Sequence, residues 1–237
     1  MAAFRFNHAS FASTSFIGWR MTSTASANKR LLDGAKKGDL EGIRKALAEE
    51  GADVNACDEE KTTALHWAAT NGSQEVCELL LAHERINPDA QDIYQRSPLH
   101  IAAGIGNLGI MQALLAHPRC NPELPSHDGG TALHLAARRG QHEAIEVLLT
   151  RTPPANIHAR NDAGYTPLHN ACSEGWQEAT RVLVEFGANL HLPASNGGTS
   201  WQIASAFLRA EIIPPALAVW QYRRIRRIAA KPRGPSL

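Results

Sequence analysis

Histidine is the first side chain here to invite a chemical reading. There are eleven in 237 residues, and four of them, His66, His100, His134 and His169, each close a Thr/Ser-x-Leu-His tetrapeptide. An imidazole can ligate a metal or move a proton near neutral pH. A zinc site, however, needs its ligands about 2.1 Å from a single point. The tetrapeptides Thr63-Ala64-Leu65-His66, Ser97-Pro98-Leu99-His100, Thr131-Ala132-Leu133-His134 and Thr166-Pro167-Leu168-His169 have their leucines 34, 34 and 35 residues apart. Equivalent residues of stacked units step by about one helix-packing distance, roughly 8–10 Å, so they form a ladder and do not converge. We therefore expect scaffold imidazoles, each bonded to its own Thr or Ser and to a neighbouring loop carbonyl. No metal and no other cofactor is expected. The cysteines Cys57, Cys77, Cys120 and Cys172 show no CxxC pairing, and Cys172 takes a place where other copies carry alanine, a core position. A glycine-rich phosphate loop, an HExxH and a GxSxG elbow are all missing from the sequence. These features point away from an enzyme.

The elements that carry these residues follow from the period. Each tetrapeptide is followed by a small apolar pair (Ala68-Ala69, Ala102-Ala103, Ala136-Ala137, Ala171-Cys172) and then by a glycine (Gly72, Gly106, Gly140, Gly175). A helical apolar stripe comes next: Val76, Leu79, Leu80; Ile110, Leu114, Leu115; Ile145, Leu148, Leu149; Ala179, Val182, Leu183. Each unit thus reads as helix, turn, second helix and extended loop. Counting back from Leu65 by one period gives Leu31, which opens a unit without its tetrapeptide, and residues 29–57 read as an N-terminal cap. Counting on from Thr166 gives Thr199-Ser200-Trp201-Gln202, a sixth unit in decay, whose second helix would cross Pro214-Pro215. Residues 216–230 can restart a helix with proline in its first turn.

Four such units in register resemble the ankyrin repeat: Thr-Pro-Leu-His-x-Ala-Ala, a turn glycine, a leucine-rich helix and a Gly-Ala-Asp-x-Asn loop (Gly51-Ala52-Asp53-Val54-Asn55). The resemblance implies an all-α solenoid of helix-turn-helix units with β-hairpin fingers and a concave face, four clear repeats flanked by degenerate ones. It also implies a protein-binding module, an adaptor or scaffold, with no small-molecule substrate. The chain departs from the family pattern in two places. The position that holds asparagine in the family reads Asn55, Asp89, Glu123, His158 and His191, so Asn55 alone matches the family's hydroxylatable asparagine. The finger glycine is replaced by Lys61 and Gln95, which predicts strained or differently shaped turns.

The domain reading is a disordered or targeting segment over 1–28, a repeat domain over 29–210 and a basic tail or short helix over 211–237. Between Asp33 and Glu211 lie 14 basic and 23 acidic side chains, a balance of −9, and beyond Glu211 lie six basic ones. An acidic body between basic ends speaks against nucleic acid on the repeats. The segment Tyr222-Arg223-Arg224-Ile225-Arg226-Arg227-Ile228 allows an alternative, an anchoring or regulatory factor whose tail binds an acidic membrane surface or nucleic acid. The unpaired cysteine pattern points to the cytoplasm or nucleus. Residues 1–28 lack acids and are rich in Ser, Thr and Ala, so an organellar transit peptide is the alternative.

By register, the residues free to discriminate partners are the finger tips and the exposed ends of the first helices. These are Glu59, Glu60 and Asn71; Ile93, Tyr94, Arg96 and Ile105; His127, Arg138 and Arg139; Tyr165 and Glu174. Tyr, Arg and exposed Ile are types found in binding hot spots. The expected site is centred on repeats three to five, and Ile93 and Tyr94 are its sharpest feature.

Overall fold

A computed structural model of the chain describes residues 11–49 and 51–207, with side chains from 24 to 203 except residue 50. The first helices of the repeats are α1 (Phe11–Lys37), α3 (Ala64–Asn71), α5 (Pro98–Ile105), α7 (Ala132–Arg138), α9 (Pro167–Glu174) and α11 (Ser200–Phe207). They stack side by side, each touching the next, to form the inner layer. The second helices, α2 (Leu40–Ala48), α4 (Gln74–Leu81), α6 (Leu108–Ala116), α8 (His142–Thr150) and α10 (Gln177–Glu185), form the outer layer. Most of these helices are eight or nine residues long, too short to be stable in isolation. Stacking supplies the stability. The alanine pairs of the first helices and Leu80, Ile110, Leu114, Ile145, Leu148 and Leu183 of the second are all but fully buried in one continuous core.

The tetrapeptide starts four of the inner helices, α3, α5, α7 and α9. Thr63, Ser97, Thr131 and Thr166 are N-caps, and the histidine at the third helical position closes a reciprocal capping box. Backbone N–H groups of Thr63, Ser97, Thr131 and Thr166 donate to histidine Nδ1 at 3.1–3.2 Å. On the far side of the ring, Nε2 meets the carbonyl of the next finger: His66 with Arg96 at 2.9 Å, His100 with Gly130 at 3.2 Å, His134 with Tyr165 at 3.0 Å. An N–H can only donate and a carbonyl can only accept, so the proton sits on Nε2 and the ring is neutral. Burial lowers the pKa of all four histidines, and at His66, His100 and His134 the bonded carbonyl opposes it. The expected bonding is thus found for the first three. At His169, Nε2 is buried without a hydrogen-bond partner. The ladder therefore ends at the decayed sixth repeat, where Gln202 takes the capping role, its Oε1 accepting the Thr199 N–H at 2.9 Å.

The fingers are reverse turns. Lys61, Gln95, Gly129, Gly164 and Gly197 each donate a backbone N–H to the carbonyl three residues back, at 2.8–3.0 Å. All five have positive φ, and the two non-glycines stand at 56° and 55°, which confirms the strain expected there. Hairpin pairing is reduced to single bridges, Cys57 with Thr63 and Pro193 with Thr199, among the described residues. Adjacent fingers are laced together: Glu60 to Ile93, Tyr94 to His127, Asp128 to Asp162 and Ala163 to Ser195, each a carbonyl accepting the next finger's N–H at 2.9–3.2 Å. A second lacing joins the loops at the asparagine position. Asn55 accepts from Asn87 N–H at 2.7 Å and donates to the Arg85 carbonyl at 2.8 Å. Asp89 and Glu123 repeat its acceptor role toward Asn121 and Asn156.

Helix α1 runs through the boundary expected at residue 29, and Ala27, ahead of it, is fully buried. Residues 1–10 and the basic stretch 211–237, with Pro214-Pro215, lie outside the described residues, as does the proposed helix over 216–230.

Candidate functional site

Two adjoining hollows on the finger side, of about 300 and 530 Å³, share His127, Asp128, Arg138 and Asn170 and together make one groove across repeats three to five. The fingers form one wall and the inner helices the other. Tyr94 and Arg96 from finger three, His127 from finger four, and Leu135 and Arg138 from α7 line the first half. Asp162 and Tyr165 from finger five, with Ser173 and Glu174 from α9, line the second.

Local structure fixes these side chains. Asp92, 4% exposed, is the post of finger three: its carboxylate accepts the N–H groups of Tyr94 and Arg96 and holds the Arg96 guanidinium at 2.7 Å. That guanidinium in turn lies 4.9 Å from the centre of the Tyr94 ring. Asp128 plays the matching part in finger four. Burial pushes its carboxyl up, but the Ser126 hydroxyl, the Gly130 N–H and Arg138 outweigh this and hold it below its ordinary value. Arg138 reaches it at 3.5 Å. Leu135 lies across Gly104, where an added Cβ would come within 3.0 Å of it. Tyr165 stacks on His169 at 5.5 Å.

Six of the residues singled out from sequence, Tyr94, Arg96, His127, Arg138, Tyr165 and Glu174, therefore line one groove. Three do not. Ile93 and Ile105 are 45% and 50% exposed beside it, and Arg139 caps the end of α7 facing solvent. Glu59 and Glu60 sit at the exposed tip of finger two. Asn71 is tied down instead, its amide donating to the carbonyls of Ala35 and Lys36 at 3.2 and 2.8 Å. In repeat two, Trp67 stands at the inner-helix position that Leu135 takes in repeat four. Its indole N–H donates to Asp58 at 3.2 Å under the Lys36 ammonium.

Sequence reasoning missed Asp128, Asp162, Leu135 and Asn170. The period carried the signal: one step on from Tyr94 is Asp128, and Ile93 leads through His127 to Asp162. Leu135 and Asn170 are the same inner-helix position in successive repeats. Trp176, 44% exposed, serves another end: its indole N–H donates to the Arg138 carbonyl at 2.9 Å, and its ring covers Gly140. Among the described residues there is no His/Cys/Asp/Glu cluster able to hold a metal, and no helix long and apolar enough to cross a membrane.

Comparison with known proteins agrees with this architecture. The family model described as ankyrin repeats (3 copies) matches in overlapping stretches from residue 31 to residue 213. Among curated proteins, human protein phosphatase 1 regulatory subunit 27 is 51% identical over 35 residues, 15% of this chain and 23% of its own length. Human BCL-6 corepressor-like protein 1 is 45% identical over 42 residues, 18% of this chain and 2% of its own. The palmitoyltransferase akr1 of Schizosaccharomyces pombe is 44% identical over 46 residues, 19% of this chain and 7% of its own. The chain thus spans less than a quarter of each of these relatives, all of which it matches over little more than one repeat. With the model covering most of its length and the histidine-capped helix pairs stacked as described, the chain belongs to the ankyrin-repeat family.

Proposed function

We propose that the chain is a non-enzymatic adaptor or scaffold that captures a protein partner on the concave face of repeats three to five. Ankyrin repeats are protein-interaction modules, which makes partner binding the starting point. One observation carries the finer reading: a contiguous groove is lined mainly by positions that differ from repeat to repeat, beside the recurring Thr131 and His134, while the recurring Leu and Ala are consumed by stacking. Tyr94, whose ring meets the Arg96 guanidinium, still leaves 56% of its surface exposed at a finger tip. The free thiols of Cys57, Cys77, Cys120 and Cys172 support a place in the cytoplasm or nucleus.

The test is affinity capture with the full chain and with its Tyr94→Ala/Arg138→Ala variant. The variant should lose a partner's recovery at least ten-fold with its melting temperature near wild type. Equal recovery, or a collapse in stability, refutes the assignment.

A further inference from the structure

The halves of the groove differ in what they leave unpaired. In the half between fingers three and four, both guanidinium groups are already held, Arg96 by Asp92 and Arg138 by Asp128. What remains is the Tyr94 ring and the Leu135 side chain, apolar and π surface without net charge. In the half at repeat five, Asp162 and Glu174 line the groove, and among the described residues neither carboxylate has a cation or a hydrogen-bond donor. The Tyr165 ring, braced by its stack on His169, shares that half. Two unpaired negative charges beside an aromatic face suit a guanidinium or ammonium group. Neighbouring repeats are separated by about 8–10 Å, a distance an extended peptide covers in about three residues at roughly 3.3 Å each.

We propose that the groove takes an extended segment of a partner protein in which an aromatic or large aliphatic residue stands three positions from an arginine or lysine. This specifies the occupant of the concave face and rests on that reading. Charge complementarity sets the basic position, and the neutral Tyr94–Leu135 half sets the apolar one. An acidic segment is disfavoured, because it would bring like charges to Asp162 and Glu174.

Selection from a displayed library of random 12-residue peptides on the full chain tests it. The expected enrichment is an aromatic or aliphatic residue three positions from Arg or Lys. An Asp162→Asn/Glu174→Gln chain should bind the selected peptides at least ten-fold more weakly while melting as wild type does. Enrichment of acidic peptides, or of basic ones indifferent to those substitutions, overturns the proposal. Trp220 and Arg223 of this chain have the same spacing, so the selected peptides are also titrated into a Trp220→Ala/Arg223→Ala chain. Equal binding to both chains supports a partner as the occupant. Binding only to the substituted chain would mean that the chain's own segment fills the groove, and it would overturn the partner assignment. Failure here is distinct from failure of the concave-face reading: a wrong motif leaves the Tyr94→Ala/Arg138→Ala capture defect in place, whereas intact capture by that variant removes the site itself.

Discussion

Replacing Lys61 and Gln95 by glycine should stabilise the protein, although it removes two side chains from its surface. Both residues hold the left-handed turn position of their fingers, at φ 56° and 55°, where fingers four to six have glycine at 71°, 72° and 79°. A left-handed non-glycine residue costs about 1–2 kcal/mol. The looser unfolded chain that glycine brings offsets about 0.4–1 kcal/mol of that gain. The net is a stabilisation of about 0.5–1 kcal/mol at each site, or roughly 1–2 kcal/mol for the pair if the two add. With an unfolding entropy of about 2.1 cal/mol/K per residue over the repeat array, that is a rise of about 3–5 °C in Tm. The reverse change is steeper. At Gly129 an alanine Cβ would stand 2.4 Å from Asp162 Oδ1 and 2.8 Å from its backbone nitrogen, so Gly129→Ala should destabilise by more than about 2 kcal/mol. Thermal and urea melts followed by far-UV circular dichroism read both effects. A Lys61→Gly/Gln95→Gly chain that melts at or below wild type, or a Gly129→Ala chain that melts with it, would refute the argument from turn geometry.

Two further outcomes follow from the buried titratable groups. The lowered pKa values of His66, His100, His134 and His169 mean that the unfolded chain binds protons which the folded one refuses. Their contribution is whole above about pH 6.5 and is lost as pH falls from there toward the native values. The slope approaches about 1.4 kcal/mol per pH unit for each histidine; a melting temperature flat from pH 7.5 to 5 would contradict it. Burial pushes the thiols of Cys77 and Cys120 up to about 12 and that of Cys172 to about 11, while Cys57 is exposed. A thiol reagent at pH 8 should therefore modify Cys57 alone in the native protein, and prompt reaction of a second cysteine counts against the packing described.

The repeat register was legible because each of its residues has one structural task. Threonine or serine caps, histidine bridges to the next finger, the alanine pair permits close helix stacking, and glycine turns the chain. These tasks recur every 34 or 35 residues, so four copies marked where each helix pair begins and where it turns. The strain at Lys61 and Gln95 was legible for the same reason, as a departure from an otherwise glycine position. Long-range bonds chosen by neighbouring side chains were not. Asn71 has the register of a partner-facing residue, yet its amide finds the carbonyls at the end of α1. Asp92 looks like a solvated loop acid, but two N–H groups and Arg96 fold around it. The groove brings together Leu135 of α7 with side chains from fingers three and four, and Leu135 itself lies against the bare backbone of Gly104.

The central claim is that partner recognition lies on the finger side of repeats three to five, and a comparison of opposite faces tests it most directly. Partner recovery from lysate would be quantified by mass spectrometry for wild type, for Tyr94→Ala/Arg138→Ala in the groove, and for Gln112→Ala/Glu146→Ala, exposed on the outer helices α6 and α8. The account predicts that a partner is recovered by wild type and the outer-helix variant and is lost by the groove variant, with all three melting together. Loss by the outer-helix variant with full recovery by the groove variant would contradict it.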